Sequence, residues 1–188
     1  NPVGEGSQEW DAKFFEDENF FLGKDEWPKS GQRITPSVDE EILAGVLAVD
    51  PSKGKDAKKS DYSAITYLGR TNTKRVLGDA WLGRVSAEVL IDNIIEMTKT
   101  YRPQWIVGEQ NNFQNLILEA LVKRLAREGL GHIRVIPVEQ KERKEMRIRR
   151  LGPIISKQGW RWRLNQHTRL VQQQLRLLDR KSTRLNSS

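Results

Sequence analysis

The chain has 188 residues, 37% of them hydrophobic, with no cysteine, two histidines and a formal net charge of +7. That is enough apolar material for one sizeable core, while the missing cysteines exclude disulfides, thiolate zinc sites and cysteine nucleophiles, and His132 and His167 alone cannot build a histidine-rich metal centre. Any metal would be held mainly by oxygen, which points to magnesium or manganese before zinc, and no apolar run approaches the ~18 residues that cross a bilayer, so a soluble protein with no membrane partner is expected.

Residues 1–41 are acidic and aromatic, with Trp10, Phe14, Phe15, Phe20, Phe21 and Trp27 set among Glu and Asp and broken by Gly23, Pro28, Gly31 and Pro36. No period of 2 or 3.6 is sustained, so the segment reads as a linker laying aromatic anchors on a neighbouring surface, which could belong to a domain outside this chain. Gly45–Val49 is a continuous aliphatic run closed by Asp50-Pro51-Ser52. It predicts a strand buried on both faces with a carboxylate at its carboxyl end. Ligands gather at that end of strands in α/β sheets, which makes Asp50 the first candidate for chemistry. The competing role is acceptance of hydrogen bonds from the turn that follows.

Lys53–Asp61 is polar and loop-like, and Tyr62–Leu68 and Arg75–Leu82 read as two further strands joined by a turn over 69–73, which together predict an antiparallel meander. Ser86 then caps a helix with Ala87, Leu90, Ile91, Ile94 and Thr98 on one face and Val85 placed to pack on Leu90; it ends near Tyr101. Gln104–Gly108 repeats the design of the first strand and ends on Glu109. A helix follows over Phe113–Glu128, stopped by Gly129, and then a strand over Ile133–Val138. Beyond it the sequence predicts a charged helix from Lys141 to Pro153, a hairpin around Gly159 that pairs Ile154-Ile155 with Trp160–Leu164, and a last helix over Thr168–Leu178.

If the Asp50 and Glu109 strands are parallel neighbours, both acids project at one edge on strands about 5 Å apart, which suits a shared divalent cation. Without a cation the two carboxylates would repel each other and one pKa would rise. Asp61, just before the second strand, is either a further metal ligand or a turn acceptor. His132, at a strand entrance beside Gly131, is expected to be structural, and His167 to be a local cap or exposed.

Charge is segregated: from Lys141 onward 14 Lys and Arg face three acids, a net of +11, so residues 1–140 carry −4. A basic flank beside an acidic centre suits an enzyme acting on a polyanion; a solvated basic face is the plainer alternative. No GxxxxGK[ST] loop occurs, so nothing points to nucleotide hydrolysis.

Three meander strands followed by helix, strand, helix, strand is the order of the ribonuclease H-like fold, a mixed α/β sheet flanked by helices. The residues resemble one family with that fold, the nuclease domain of the large terminase subunit of tailed bacteriophages. Ala48-Val49-Asp50-Pro51-Ser52 with Lys59–Ile65 is similar to its first acidic motif and second strand, and Ile106–Asn111 is similar to its second acidic motif. Lys141–Arg150, Leu151–Ile155 and the Gly159 hairpin resemble its basic helix and the segment after it.

The resemblance implies a metal-dependent endodeoxyribonuclease that cuts concatemeric double-stranded DNA during viral packaging in the cytoplasm of an infected bacterial host. It implies two Mg2+ or Mn2+ ions, with Asp50 and Glu109 as catalytic and metal-binding residues, Asp61 as a further metal ligand, and Lys144, Arg147, Arg150, Arg161 and Arg163 on the DNA. It also implies as partners an ATPase domain of the same full-length protein, a portal and a small terminase subunit. The domain reading is a linker at 1–41, a nuclease domain at 42–180 and an atypical or truncated tail at 181–188. The family's late Asp cluster is missing from this sequence; Asp179 stands where it would begin, among Arg176, Arg180 and Lys181, so weak cleavage and one bound ion rather than two are expected. A transposase, integrase or resolvase-type nuclease, or an inactive DNA-binding module of the same fold, are the alternatives.

Overall fold

The computed structural model describes residues 10–22, 41–52, 62–111, 117–142, 146–147, 150–151 and 159–185, with 178–185 described by backbone alone. In chain order its elements are a 3-10 turn (Ala12–Phe15), α1 (Asp17–Phe20), β1 (Ile42–Asp50), β2 (Ser63–Thr71), β3 (Val76–Gly83), α2 (Ala87–Tyr101), β4 (Trp105–Glu109), α3 (Leu118–Arg127), β5 (Arg134–Val138), β6 (Arg161–Trp162) and α4 (Gln166–Leu185). The strands form one six-stranded sheet in the order β5-β4-β1-β2-β3-β6. β1, β2 and β3 are the antiparallel meander, β4 and β5 add in parallel beside β1, and β6 adds in parallel beside β3. A meander whose first strand sits centrally beside two parallel helix-linked strands is the ribonuclease H-like arrangement, so the expected fold class is present.

Period-2 alternation divides the sheet into two faces. Leu47, Val49, Ile65, Tyr67 and Leu77 turn to one side and pack with Leu90, Ile91, Ile94 and Ile95 of α2 and Leu121 and Leu125 of α3 in the main core. Ser86 caps α2 by accepting from the Val89 N–H at 3.4 Å. Gly129 follows α3 at φ +73°, a left-handed position that glycine occupies without a Cβ penalty.

β1 is not buried equally on both faces. Gly45, Leu47 and Val49 are buried, whereas Ala44, Val46 and Ala48 on the second face are half-buried. The continuous aliphatic run concealed this, because its second face is built from small or β-branched side chains that leave open clefts above them.

The second face also carries an aromatic core. Trp10, Phe15, Phe20, Phe21, Ala80, Trp160 and Trp162 are buried together, with Leu82, Val171 and Leu175 against them. The anchors of the amino-terminal segment therefore settle on this domain: Phe20 stacks on Trp162 with centroids 5.9 Å apart and planes 8° from parallel. Trp27 lies outside the described residues. Gly78 of β3 faces the Trp162 ring so closely that a Cβ would lie 2.6 Å from it, which accounts for a glycine within a buried strand. Trp160–Leu164, expected as one arm of a hairpin, contributes only the two-residue parallel strand β6; Ile154-Ile155 lie outside the described residues.

The last helix runs to Leu185 rather than stopping near Leu178, because Arg180–Leu185 contains no Gly or Pro to end it. Its inner face is tied to the amino-terminal segment. Arg169 Nη1 donates to both Asp17 oxygens at 2.7 Å, Gln172 Nε2 donates to the Phe15 carbonyl at 2.9 Å, and Arg176 donates to the same carbonyl.

The hydrogen bonds from Arg169, followed by that from Gln172, hold the Asp17 carboxyl below its ordinary value near 3.8. A depressed folded-state pKa stabilises above the unfolded value, and the contribution disappears as pH falls through the folded one. Wild type should therefore exceed Asp17→Asn in stability above about pH 4, and the two should converge under stronger acid in pH-resolved urea unfolding. A constant gap across that range would show that the pair does not titrate with folding.

Candidate functional site

β1 and β4 lie side by side and parallel, with Val46 opposite Trp105, Leu47 opposite Ile106, Ala48 opposite Val107 and Val49 opposite Gly108. The paired register ends at Val49 and Gly108, and Asp50 and Glu109 follow them as the last residues of the two central strands, whose backbones lie about 5 Å apart. Side chains on a strand alternate, so Ala48 and Asp50, like Val107 and Glu109, present to the second face.

A cleft of about 340 Å³ opens there. Both acids line it, with Ala48, Ala64, Thr66 and Val107 as floor and Gln140 and Arg147 at its side. The floor is legible from the pairing: Ala48 opposes Thr66 and Asp50 opposes Ala64. Small residues at two of these positions leave the space above them open. Asp50 is exposed and Glu109 half-buried, so neither charge is fully desolvated.

The donor chemistry fits a hard divalent cation. Two carboxylates on strand ends and the amide oxygen of Gln140 would be oxygen ligands, and among the described residues no imidazole or thiol lines the cleft. Among the described residues, no third His, Cys, Asp or Glu joins Asp50 and Glu109 in a metal-binding group. Asp61 lies outside the described residues. Asp179 belongs to α4, at a position described by backbone alone.

The basic residues singled out from the sequence separate into different surroundings. Arg147 lines the acidic cleft itself. Arg150 is exposed and pairs with Glu142 at 2.9 Å. Arg161 is half-buried and donates to the Trp160 carbonyl at 3.0 Å. Arg163 turns inward, donating to the Tyr101 hydroxyl at 3.1 Å and lying 3.5 Å from Asp79 Oδ2. Lys144 lies outside the described residues.

The Arg163 contacts belong to a buried polar centre that sequence reasoning missed. Asp79 is 6% exposed on β3. The Tyr101 hydroxyl donates to one of its oxygens, while Asn165 Nδ2 at 2.7 Å and the Ala80 N–H at 2.8 Å donate to the other. Burial first, then the Asp79 charge, pushes the Tyr101 phenol well above its ordinary value, so it stays protonated and donates. Asn165 also accepts from the His167 and Thr168 N–H groups at 2.9 Å each, which caps α4. His167 Nδ1 accepts from the Leu82 N–H at 3.2 Å, so this histidine fastens α4 to β3. The available signal was a lone Asp inside the aliphatic stretch Val76–Leu82, an expensive residue in a buried strand unless it is paired.

No protein-family model and no curated protein matches the sequence. Among solved structures the chain is similar to the nuclease domain of human cytomegalovirus terminase, determined after soaking in manganese. The two share 10% identity over 72% of this chain and 74% of that one, with a TM-score of 0.47.

Proposed function

We propose that the chain is a metal-dependent nuclease domain that hydrolyses phosphodiester bonds in double-stranded DNA, of the kind used by viral DNA-packaging terminases. The observation that carries this reading is the parallel pairing of two strands that end on Asp50 and Glu109, both lining one small-floored cleft. A sheet that fixes two acids on adjacent strand ends, rather than on loops, holds them in place before any ligand arrives. Asp50 and Glu109 would hold the ion, with Gln140 beside them. A divalent ion bound there supplies Lewis-acid polarisation of a phosphate oxygen and a water acidified toward neutrality. Ala48 and Ala64 leave the room that a phosphate needs above the sheet. The acidic motifs around both residues, and the basic segment that follows β5, support the terminase assignment over a transposase or resolvase through the sequence resemblance alone.

In this reading DNA would approach the second face of the sheet, where residues 146–151 supply Arg147 and Arg150. An ATPase domain of the same full-length protein, a portal and a small terminase subunit are the proposed wider partners.

Mn2+ should raise the melting temperature of the wild-type chain, because a ligand present at about 100 times its Kd adds about 2.7 kcal/mol to the native state. Asp50→Asn and Glu109→Gln should each lose most of that gain and nick supercoiled plasmid more slowly than wild type. Equal Mn2+ stabilisation in wild type and both variants would place the ion elsewhere and remove the basis of the proposal.

A further inference from the structure

Arg147 stands apart from the other basic residues of its segment. The Arg150 N–H donates to the Met146 carbonyl at 3.2 Å. Arg147 lines the acidic cleft, while Leu151 lines a separate apolar groove with Val46, Leu68 and Trp105. Leu151 also packs against the aromatic core.

The Arg147 side chain is half-buried, and its Nε is buried with no hydrogen-bond partner among the described residues. A buried guanidinium N–H without an acceptor is costly and calls for a partner beyond the described residues.

Resting on the nuclease reading above, we propose that Arg147 is the phosphate-binding cation of the cleft: its guanidinium takes an oxygen of the DNA phosphodiester beside the divalent ion held by Asp50 and Glu109. Guanidinium suits this role because it stays charged and offers a planar fork of donors to phosphate oxygens. This differs from a general backbone contact, because a residue inside the cleft acts on ion binding as well as on DNA.

The test is Mn2+ binding to the full chain, followed by electron paramagnetic resonance titration, with and without inorganic phosphate. Phosphate should tighten Mn2+ binding to wild type. Arg147→Ala should bind Mn2+ on the order of ten-fold more tightly in the absence of phosphate, because a like charge beside the ion is gone, and phosphate should no longer help. Arg147→Lys keeps the charge and should stay within about two-fold of wild type for Mn2+ alone, while losing part of the phosphate effect. The lysine variant also covers the case in which the alanine variant fails to fold.

Unchanged or weaker Mn2+ affinity in Arg147→Ala, or a phosphate effect that survives it intact, would overturn the role of Arg147 and leave the Asp50–Glu109 site standing. No Mn2+ binding to wild type would instead remove the nuclease reading on which the proposal rests.

Discussion

Asp79→Ala should destabilise the domain by about 2–4 kcal/mol, because it leaves several buried donors without their acceptor at once, each costing about 1–3 kcal/mol alone. The substitution deletes a carboxylate that accepts from Tyr101, Asn165 and the Ala80 N–H and faces Arg163. Those donors would be left pointing at a small cavity. Tyr101→Phe removes a single donor and should cost less, about 1–2 kcal/mol. Adding Arg163→Ala to Asp79→Ala should recover part of the loss, because the stranded cation goes with its partner. Urea unfolding of the three variants checks the ranking. A loss below about 1 kcal/mol for Asp79→Ala would mean that water replaces the carboxylate at no great cost and that the centre contributes little to stability.

Phe20→Ala should cost about 3–5 kcal/mol, as large-to-small changes at fully buried aromatic positions do. Phe20 has no exposed surface. Its ring meets Phe14, Phe15, Phe21 and Trp162 at centroid separations of 5.5, 6.4, 4.9 and 5.9 Å. Chemical denaturation followed by tryptophan emission is the direct check, since Trp10, Trp160 and Trp162 lie in the same cluster. The outcome decides what the amino-terminal segment is. A large cooperative loss makes residues 10–22 part of the domain, whereas a loss under about 1 kcal/mol would make them a detachable strap.

The sequence disclosed the strands and helices wherever a local pattern was the cause. Alternation and turn residues marked the meander, Ser86 and Gly129 marked helix ends, and two aliphatic runs closed by Asp50 and Glu109 marked the strand ends that the sheet places side by side. What stayed hidden depends on contacts between distant positions. Residues 10–22 lack a period because their order comes from Trp160, Trp162 and α4, some 150 positions away, and not from a repeating face of their own. Asp79 finds its partners on α2 and at the start of α4, so nothing nearby announced them. Arg163 and Arg147 were indistinguishable as members of one basic stretch. Only the fold separates the first, paired with Asp79, from the second, which lines the cleft of Asp50 and Glu109.

The bonds between residues 15–17 and residues 169–176 also constrain the order in which the molecule can be made. Gln172 meets the Phe15 carbonyl across 157 positions and Arg169 meets Asp17 across 152, so these early aromatic residues have their partners in a helix made much later. Closing so long a loop is slow compared with forming the meander. At about 5–20 residues per second on the ribosome, Trp10, Phe15, Phe20 and Phe21 wait on the order of ten seconds or more without their burial site. During that interval they are the part of the nascent chain most open to chaperones and to self-association, and the domain cannot complete its second core until α4 has been released.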